Sequence, residues 1–277
     1  MNILILGSQG FLGSQLTAAL LPLRELAVSQ YYRGQLNGSP FPHPIGSHIF
    51  LDELMERTQP KVIINCLVVK PIPGKENLNL REMYSINSEL PHQLSSIAAA
   101  YGARVIHIST DAVFSGHHGS YDEDSLPDPK DDYGNSKFLG ELHYDHTLTI
   151  RCSIIGRHQT RPQFIDWIID NKGPLFGYAN YVFSPITSDF LIQVIIDNFL
   201  DQFAHHGILH LGSHAISKFD LITFITAQVN NDIELIRTET PNIDRSLKSL
   251  FALRKLGIAV PNIYQMIINN LRITSEE

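Results

Sequence analysis

Residues 2–13 read Asn-Ile-Leu-Ile-Leu-Gly-Ser-Gln-Gly-Phe-Leu-Gly, and no other stretch constrains the fold as much. An apolar run, three glycines spaced three apart and a helical pattern place a glycine turn between a strand and a helix. Gly7 permits a tight turn, Gly10 admits a diphosphate close to the backbone, and Gly13 lets the helix approach the strand. Backbone amides at the helix N-terminus then face the phosphates, with Gln9, Phe11 and Leu12 among them. The spacing departs from Gly-x-Gly-x-x-Gly, so a dinucleotide site is inferred from the strand–loop–helix context rather than from the glycines alone.

The same rhythm continues downstream. Leu26–Ser29 reads as a second strand and His48–Leu51 as a third, followed by a helix ending near Thr58. Val62–Cys66 and Val105–Ser109 are firm strands, residues 80–101 a helix kinked at Pro91, 131–146 a helix, and Leu148–Ser153 a strand. Strands alternating with helices predict an α/β fold with a doubly wound parallel sheet. After residue 157 the pattern loosens. A helix over 163–171 stops at Asn171-Lys172-Gly173-Pro174, residues 181–186 look extended, 187–203 helical and Ile208–Leu211 strand-like. The expected division is a first domain over 1–157, to which the chain returns near 180–211, and a smaller, mostly helical, discontinuous lobe over 158–277 that binds substrate.

Tyr133 and Lys137 lie four apart, on one face of a helix. An ammonium beside a phenol favours the phenolate, which suits the tyrosine for exchanging a proton with a carbonyl or alcohol oxygen near neutral pH. Ser109-Thr110-Asp111 ends a firm strand, where ligands of open α/β sheets bind. Thr110 can donate to a substrate oxygen and Asp111 can position a hydroxyl or a water. Their alternative role is ordinary turn formation. At the end of the second strand Ser29–Arg33 offers no carboxylate for a ribose hydroxyl, and Arg33 favours a 2′-phosphate, hence NADPH, with NAD left open.

A net charge of −7 without a strong basic run argues against a nucleic-acid surface. No basic leader precedes the first strand and no apolar run is long enough to span a bilayer, so a cytoplasmic protein is expected, with Cys66 and Cys152 as reduced core thiols. None of the thirteen histidines combines close spacing with Cys or carboxylate partners, so no metal site is expected; His143 and His146 read as sharing a helix face.

Gly7-x-x-Gly10-x-x-Gly13, Ser109-Thr110-Asp111-x-Val113-Phe114-x-Gly116, Tyr121-x-Glu123 and Tyr133-Gly134-x-Ser136-Lys137-x-x-Gly140-Glu141 together resemble the extended short-chain dehydrogenase/reductase superfamily. The Thr-Asp-x-Val-Phe form most resembles its dTDP-4-dehydrorhamnose reductase group. The resemblance is strong over residues 1–156 and thins afterwards. It implies a Rossmann-type fold and NADPH- or NADH-dependent reduction of the 4-keto group of a nucleotide-linked 6-deoxyhexulose. It implies Thr110, Tyr133 and Lys137 as the catalytic group, with Tyr133 as proton donor, Lys137 lowering the tyrosine pKa and holding the nicotinamide ribose, and Asp111 assisting Thr110 at the sugar oxygen. Asn65, Cys66 and Leu67 would line the adenosine side of the cofactor. Cys66-Leu67-Val68-Val69-Lys70 departs from the group's small-residue run, and Ala112 stands where 4,6-dehydratases carry Glu. The resemblance therefore leaves open a reductase or epimerase on another nucleotide sugar. It also leaves open a cofactor-binding regulatory protein, like the regulatory subunit of methionine adenosyltransferase, and whether the chain forms a homodimer.

Overall fold

Val62-Ile63-Ile64-Asn65 is buried at every position, as in a parallel strand covered on both faces. The computed structural model describes residues 1–43, 45, 47–71, 79–158, 162–201, 203, 205–229 and 233–273. The chain divides into two compact units. The first comprises Met1–Val113, Pro129–Ile150 and Asn198–Ile208, and the second Phe114–Asp128, Arg151–Asp197 and the chain from Leu209 on.

In the first unit the chain runs β1 (Asn2–Leu6), α1 (Phe11–Leu20), β2 (Ala27–Tyr32), β3 (Gln35–Leu36), β4 (Ser39–Pro40), α2 (His48–Thr58) and β5 (Val62–Asn65). It continues through α3 (Leu80–Tyr84), α4 (Leu90–Ala100), β6 (Arg104–Thr110), α5 (Asp132–Leu139) and the first half of β7 (Thr147–Ile155). The strand order is β7-β6-β5-β1-β2-β3-β4. β1 pairs in parallel with β2 and β5, and β5 with β6, while β3 and β4 add an antiparallel edge. The chain thus winds one way from β1 to β2 and the other way from β5 onward. The crevice at the carboxyl ends of β1 and β5 is the switch point where such sheets bind ligands. The expected doubly wound sheet is present.

Three elements differ from expectation. His48–Leu51 is not a strand but the first turn of α2. Ser47 Oγ accepts from Phe50 N–H at 3.1 Å, capping the helix, and Phe50, Leu51, Leu54 and Met55 then share one buried face. Between α3 and α4 the kink expected at Pro91 is a π-helical turn, Ser85–Glu89. Pro91 has no N–H and its ring would strike the Asn87 carbonyl four residues earlier; the wider turn, closed by Leu90 N–H to Ser85 O, relieves both problems. The helix expected over 131–146 ends at Leu139. Gly140 lies backbone to backbone against the Asn87 carbonyl, where any side chain would overlap it. His143 and His146 therefore lie beyond the helix, and His146 Nε2 sits 3.0 Å from Ser95 Oγ.

The second unit holds α6 (Phe164–Asp170), β8 (Leu175–Tyr178), β9 (Tyr181–Phe183), β10 (Pro185–Thr187), most of α7 (Ser188–Phe199) and the end of β11 (Gly207–Leu211). It closes with β12 (Ile216–Ser217), α8 (Lys218–Gln228), β13 (Leu235–Thr238), β14 (Ile243–Asp244), α9 (Leu250–Leu256) and α10 (Ile263–Ile273). β8 pairs with β13, and β9 with β12 and β14. Its core is pinned by a polar cluster. The Arg151 guanidinium lies 5.1 Å from the centre of the Phe114 ring, which stacks on Tyr121 at 4.1 Å. His210 Nε2 is 3.2 Å from Arg151 Nη1, and His210 Nδ1 is 3.2 Å from the Tyr121 carbonyl. Arginine only donates, so Nε2 accepts and Nδ1–H donates. Burial first, then the Arg151 charge, pushes His210 down to about 3. A depressed folded-state value means the neutral ring contributes stability that is complete above the unfolded value of about 6.5. That contribution should be lost as pH falls from there to about 3. Denaturant midpoints across that range should fall for the parent, and His210→Gln should flatten the fall.

Candidate active site

The glycine turn follows β1. Gly7, at φ +80°, donates its N–H to the Tyr31 carbonyl at 2.9 Å and accepts from Gly10 N–H at 2.9 Å. A Cβ at Gly7 would stand 3.1 Å from the Cys66 backbone, and one at Gly13 would overlap the Gly7 carbonyl. The first intrahelical bond of α1 is Ser14 N–H to Gly10 O at 3.0 Å, so the amides of Phe11, Leu12 and Gly13 precede it. No side chain caps this end and no acid stands in the first turn. The turn therefore offers an uncapped positive helix end with backbone that a diphosphate can approach closely, and these residues fit a dinucleotide cofactor. Gln9 is exposed on the turn, Phe11 half-buried and Leu12 buried. Asn65 ends β5, and Cys66 and Leu67 follow it, beside Gly7. Arg33 and Gly34 form the turn of the β2–β3 hairpin. Arg33 is exposed, with its guanidinium 5.1 Å from the centre of the Tyr32 ring.

The proposed reacting residues come from two neighbouring places in the first unit. Thr110 ends β6, and Asp111 opens the 3-10 turn Asp111–Val113. The Thr110 hydroxyl donates to Asp111 Oδ1 at 3.2 Å and accepts from Ala112 N–H at 3.1 Å. Asp131 caps α5 by accepting from Gly134 N–H at 2.7 Å. Tyr133 and Lys137 follow on that helix. Gly134, between them, lies against the Ala112 carbonyl so closely that a side chain there would overlap it. This contact brings the helix with Tyr133 onto the turn with Thr110 and Asp111. Tyr133 is half-buried and lines a cleft with Val69, Lys70, Met83 and Asp131.

Lys137 is 2 % exposed. Its Nζ donates to the Ile108 carbonyl at 2.7 Å and lies 3.2 Å from His107 Nε2. His107 Nδ1 lies 3.1 Å from Asn65 Nδ2. Burial first, then Lys137 and His92, holds the His107 imidazole well below the usual histidine value. His107 did not stand out by motif; the signal was a polar residue in the middle of the apolar run Val105-Ile106-His107-Ile108. Asn87 ties the site to the π turn. Its side chain donates to Ser136 Oγ at 3.0 Å and brackets Val69 N–H and C=O at 2.8 Å each. Among the described residues no group of three His, Cys, Asp or Glu could hold a metal ion.

A family model described as the RmlD substrate binding domain matches residues 1–254. A dTDP-4-dehydrorhamnose reductase of Streptomyces griseus is 32% identical over 50% of the chain, and the chain spans 43% of that protein's length. One from Aggregatibacter actinomycetemcomitans is 29% identical over 99% of each chain. The crystal structure of a dTDP-4-dehydrorhamnose reductase from Bacillus anthracis in complex with NADP superposes with a TM-score of 0.84. It covers 98% of this chain and 99% of its own at 22% identity, a likeness of fold.

Cys66 gives a direct test of the local dielectric. Burial pushes its thiol up to about 12, with Lys137 opposing. Against the ordinary value of 9.0, the thiolate population at pH 8 should fall by about 10³-fold. Iodoacetamide at pH 8 should therefore label Cys66 of the native protein far more slowly than the same cysteine in urea; equal rates would show that the thiol sits in water.

Proposed function

We propose that this chain, which belongs to the RmlD substrate binding domain family over residues 1–254, is a nucleotide-sugar reductase. It reduces the 4-keto group of a nucleotide-linked 6-deoxyhexulose, with NADPH preferred over NADH. The observation that carries this reading is the seating of α5 on the Thr110–Ala112 turn through Gly134, with Lys137 buried one helical turn after Tyr133. The names of its relatives as dTDP-4-dehydrorhamnose reductases support the substrate class.

The amides at Phe11–Gly13 and the glycine turn hold the diphosphate, with Gln9 beside them, and Asn65, Cys66 and Leu67 line the adenosine side. NADPH, when bound there, supplies the hydride. Tyr133 gives its proton to the nascent alkoxide oxygen. Lys137 holds the ribose and eases release of the phenol proton. Thr110, with Asp111 beside it, grips the reacting oxygen, to which it turns the hydroxyl hydrogen that it otherwise donates to Asp111 Oδ1 at 3.2 Å. Residues from 158 on are proposed to form the lobe that binds the sugar nucleotide. No helix among the described residues is long and apolar enough to cross a membrane, and the proposal places the enzyme in the cytoplasm.

Three variants separate the roles. Tyr133→Phe deletes only the transferable proton, so turnover should fall by about 10²–10⁴-fold with cofactor affinity little changed. Lys137→Met should impair both turnover and cofactor binding, and Thr110→Val turnover alone. Single-turnover hydride transfer over dTDP-, UDP-, GDP- and CDP-linked 4-keto-6-deoxy sugars, with cofactor titration, measures each. A Tyr133→Phe enzyme as fast as the parent would remove Tyr133 from the mechanism. A parent that binds NADPH and reduces no member of the panel would make it a binding protein.

Arg33, exposed at the turn after β2, is proposed to read the 2′-phosphate. NADPH should bind more tightly than NADH, and Arg33→Ala should narrow the gap by roughly 1.5–3 kcal/mol. An unchanged ratio of the two affinities would take Arg33 out of that role.

A further inference from the structure

Lys70 brings a second cation to the Tyr133 cleft, and no step of the proposed reduction gives it a role. Asn87 fixes where it stands. The Asn87 amide holds both the N–H and the C=O of Val69 at 2.8 Å and donates to Ser136 Oγ of α5 at 3.0 Å. The residue after Val69 is thereby presented beside the helix that carries Tyr133. Lys70 is exposed at the rim, yet burial lowers the pKa of its ammonium, with the Asp111 charge opposing. The stem therefore takes the water-facing side and the charged head the inner one. Among the described residues no hydrogen bond or ion pair holds that head. The carboxylates that share the cleft are engaged elsewhere. Asp131 accepts from Gly134 N–H at 2.7 Å, and Asp132 accepts from the Tyr84 hydroxyl at 3.1 Å. An ammonium drawn from water without a partner is costly, and an oxygen supplied by a ligand offsets that cost.

The lining selects the kind of oxygen. Val69, Leu80 and Met83 offer apolar surface to the C–H face of a ring. Lys70 shares the cleft with Asp131 and Asp132, and its charge is felt by Asp111. Asp111 stands on the turn against which Gly134, next to Tyr133, is packed. A phosphate or carboxylate here would meet three carboxylates for one ammonium, and an amino group would set a second cation against Lys70. A hydroxyl is neutral, with one hydrogen to donate and two lone pairs to accept. Lysine only donates and an ionised aspartate only accepts, so a hydroxyl between Lys70 and Asp111 satisfies both. We propose that Lys70 is a specificity-determining residue whose ammonium donates to the substrate hydroxyl on the carbon next to the reacting carbonyl, so that 4-keto sugars with a 3-hydroxyl are selected over those without it. On a 6-deoxyhexulose only C3 can carry that hydroxyl, because C5 bears the ring oxygen and the methyl group. The same hydroxyl donates its hydrogen to Asp111. This deepens the reductase reading and rests on it for the place of the carbonyl at Tyr133 and Thr110.

The test is equilibrium binding in the presence of NADP⁺, which has no hydride to give. The probes are 4-keto-6-deoxyglucose and its 3-deoxy counterpart, each linked to dTDP and to UDP, titrated by calorimetry into the full-length parent and Lys70→Met. The parent should bind the 3-hydroxy sugar more tightly than the 3-deoxy sugar by roughly 10–100-fold, as for a hydrogen bond to a charged group. Lys70→Met keeps the stem and loses the donor, so the ratio should fall close to one through weaker binding of the 3-hydroxy sugar. Should that variant not fold, Lys70→Gln, a shorter and neutral donor, should lower the ratio in the same direction. Equal binding of the two sugars by the parent, binding of neither, or a ratio that the substitution leaves in place would each overturn the proposal. A loss of NADP⁺ affinity with the sugar ratio unmoved would make Lys70 a cofactor contact and overturn it too. Failure of the reductase reading is a different result: the parent binds with the stated preference and transfers no hydride from NADPH to either sugar.

Discussion

Three places where backbone lies directly on backbone set the geometry of the first unit. Gly13 lies on the Gly7 carbonyl, Gly134 on the Ala112 carbonyl and Gly140 on the Asn87 carbonyl, and a side chain at any of them would overlap its partner. Interiors are packed too tightly to absorb such an overlap without moving an element. The first contact sets α1 against the turn after β1. The second seats α5 on the turn after β6, and the third stops the chain from continuing α5 through the π turn. In each contact a helix meets the carbonyl of a turn, and a backbone carbonyl cannot step aside by changing rotamer.

With the elements so fixed, the polar groups between them have little freedom. Asn65, His107 and Lys137 are each almost fully withdrawn from water, so every donor among them must find an acceptor within the chain. Asn87, also fully buried, joins Val69 to Ser136 of α5. The π turn that presents Asn87 exists because Pro91 forbids a regular helix there. A backbone defect and a buried amide thus act together, and the loop at Val69 is tied to the helix that carries Tyr133.

The features readable from sequence were those whose physics is local. A glycine turn between a strand and a helix and a Tyr-x-x-x-Lys helix face depend on residues a few positions apart. The strands Val62–Asn65 and Arg104–Thr110 were legible because buried parallel strands are continuously apolar. His48-Ile49-Phe50-Leu51 misled because a short apolar run carries no period, and the deciding signal was Ser47, a cap just before it. The end of α5 was illegible because Gly140 stops the helix through Asn87, over fifty positions upstream. His107 was passed over for the same reason: its role depends on Asn65 and Lys137, which only the sheet brings to it.

Thr110 has to change partners to take the role proposed for it. Its hydroxyl hydrogen is directed at Asp111 Oδ1 and its oxygen accepts from Ala112 N–H. A hydroxyl has one hydrogen, so donating to a sugar oxygen means releasing Asp111. Asp111 is 8 % exposed, so a change of donor at its carboxylate takes place largely away from water. In the reaction proposed above, a substrate hydroxyl adjacent to the reacting carbonyl can donate to Asp111 while the carbonyl accepts from Thr110. In the proposed reaction that exchange of donors turns Thr110 toward the reacting oxygen.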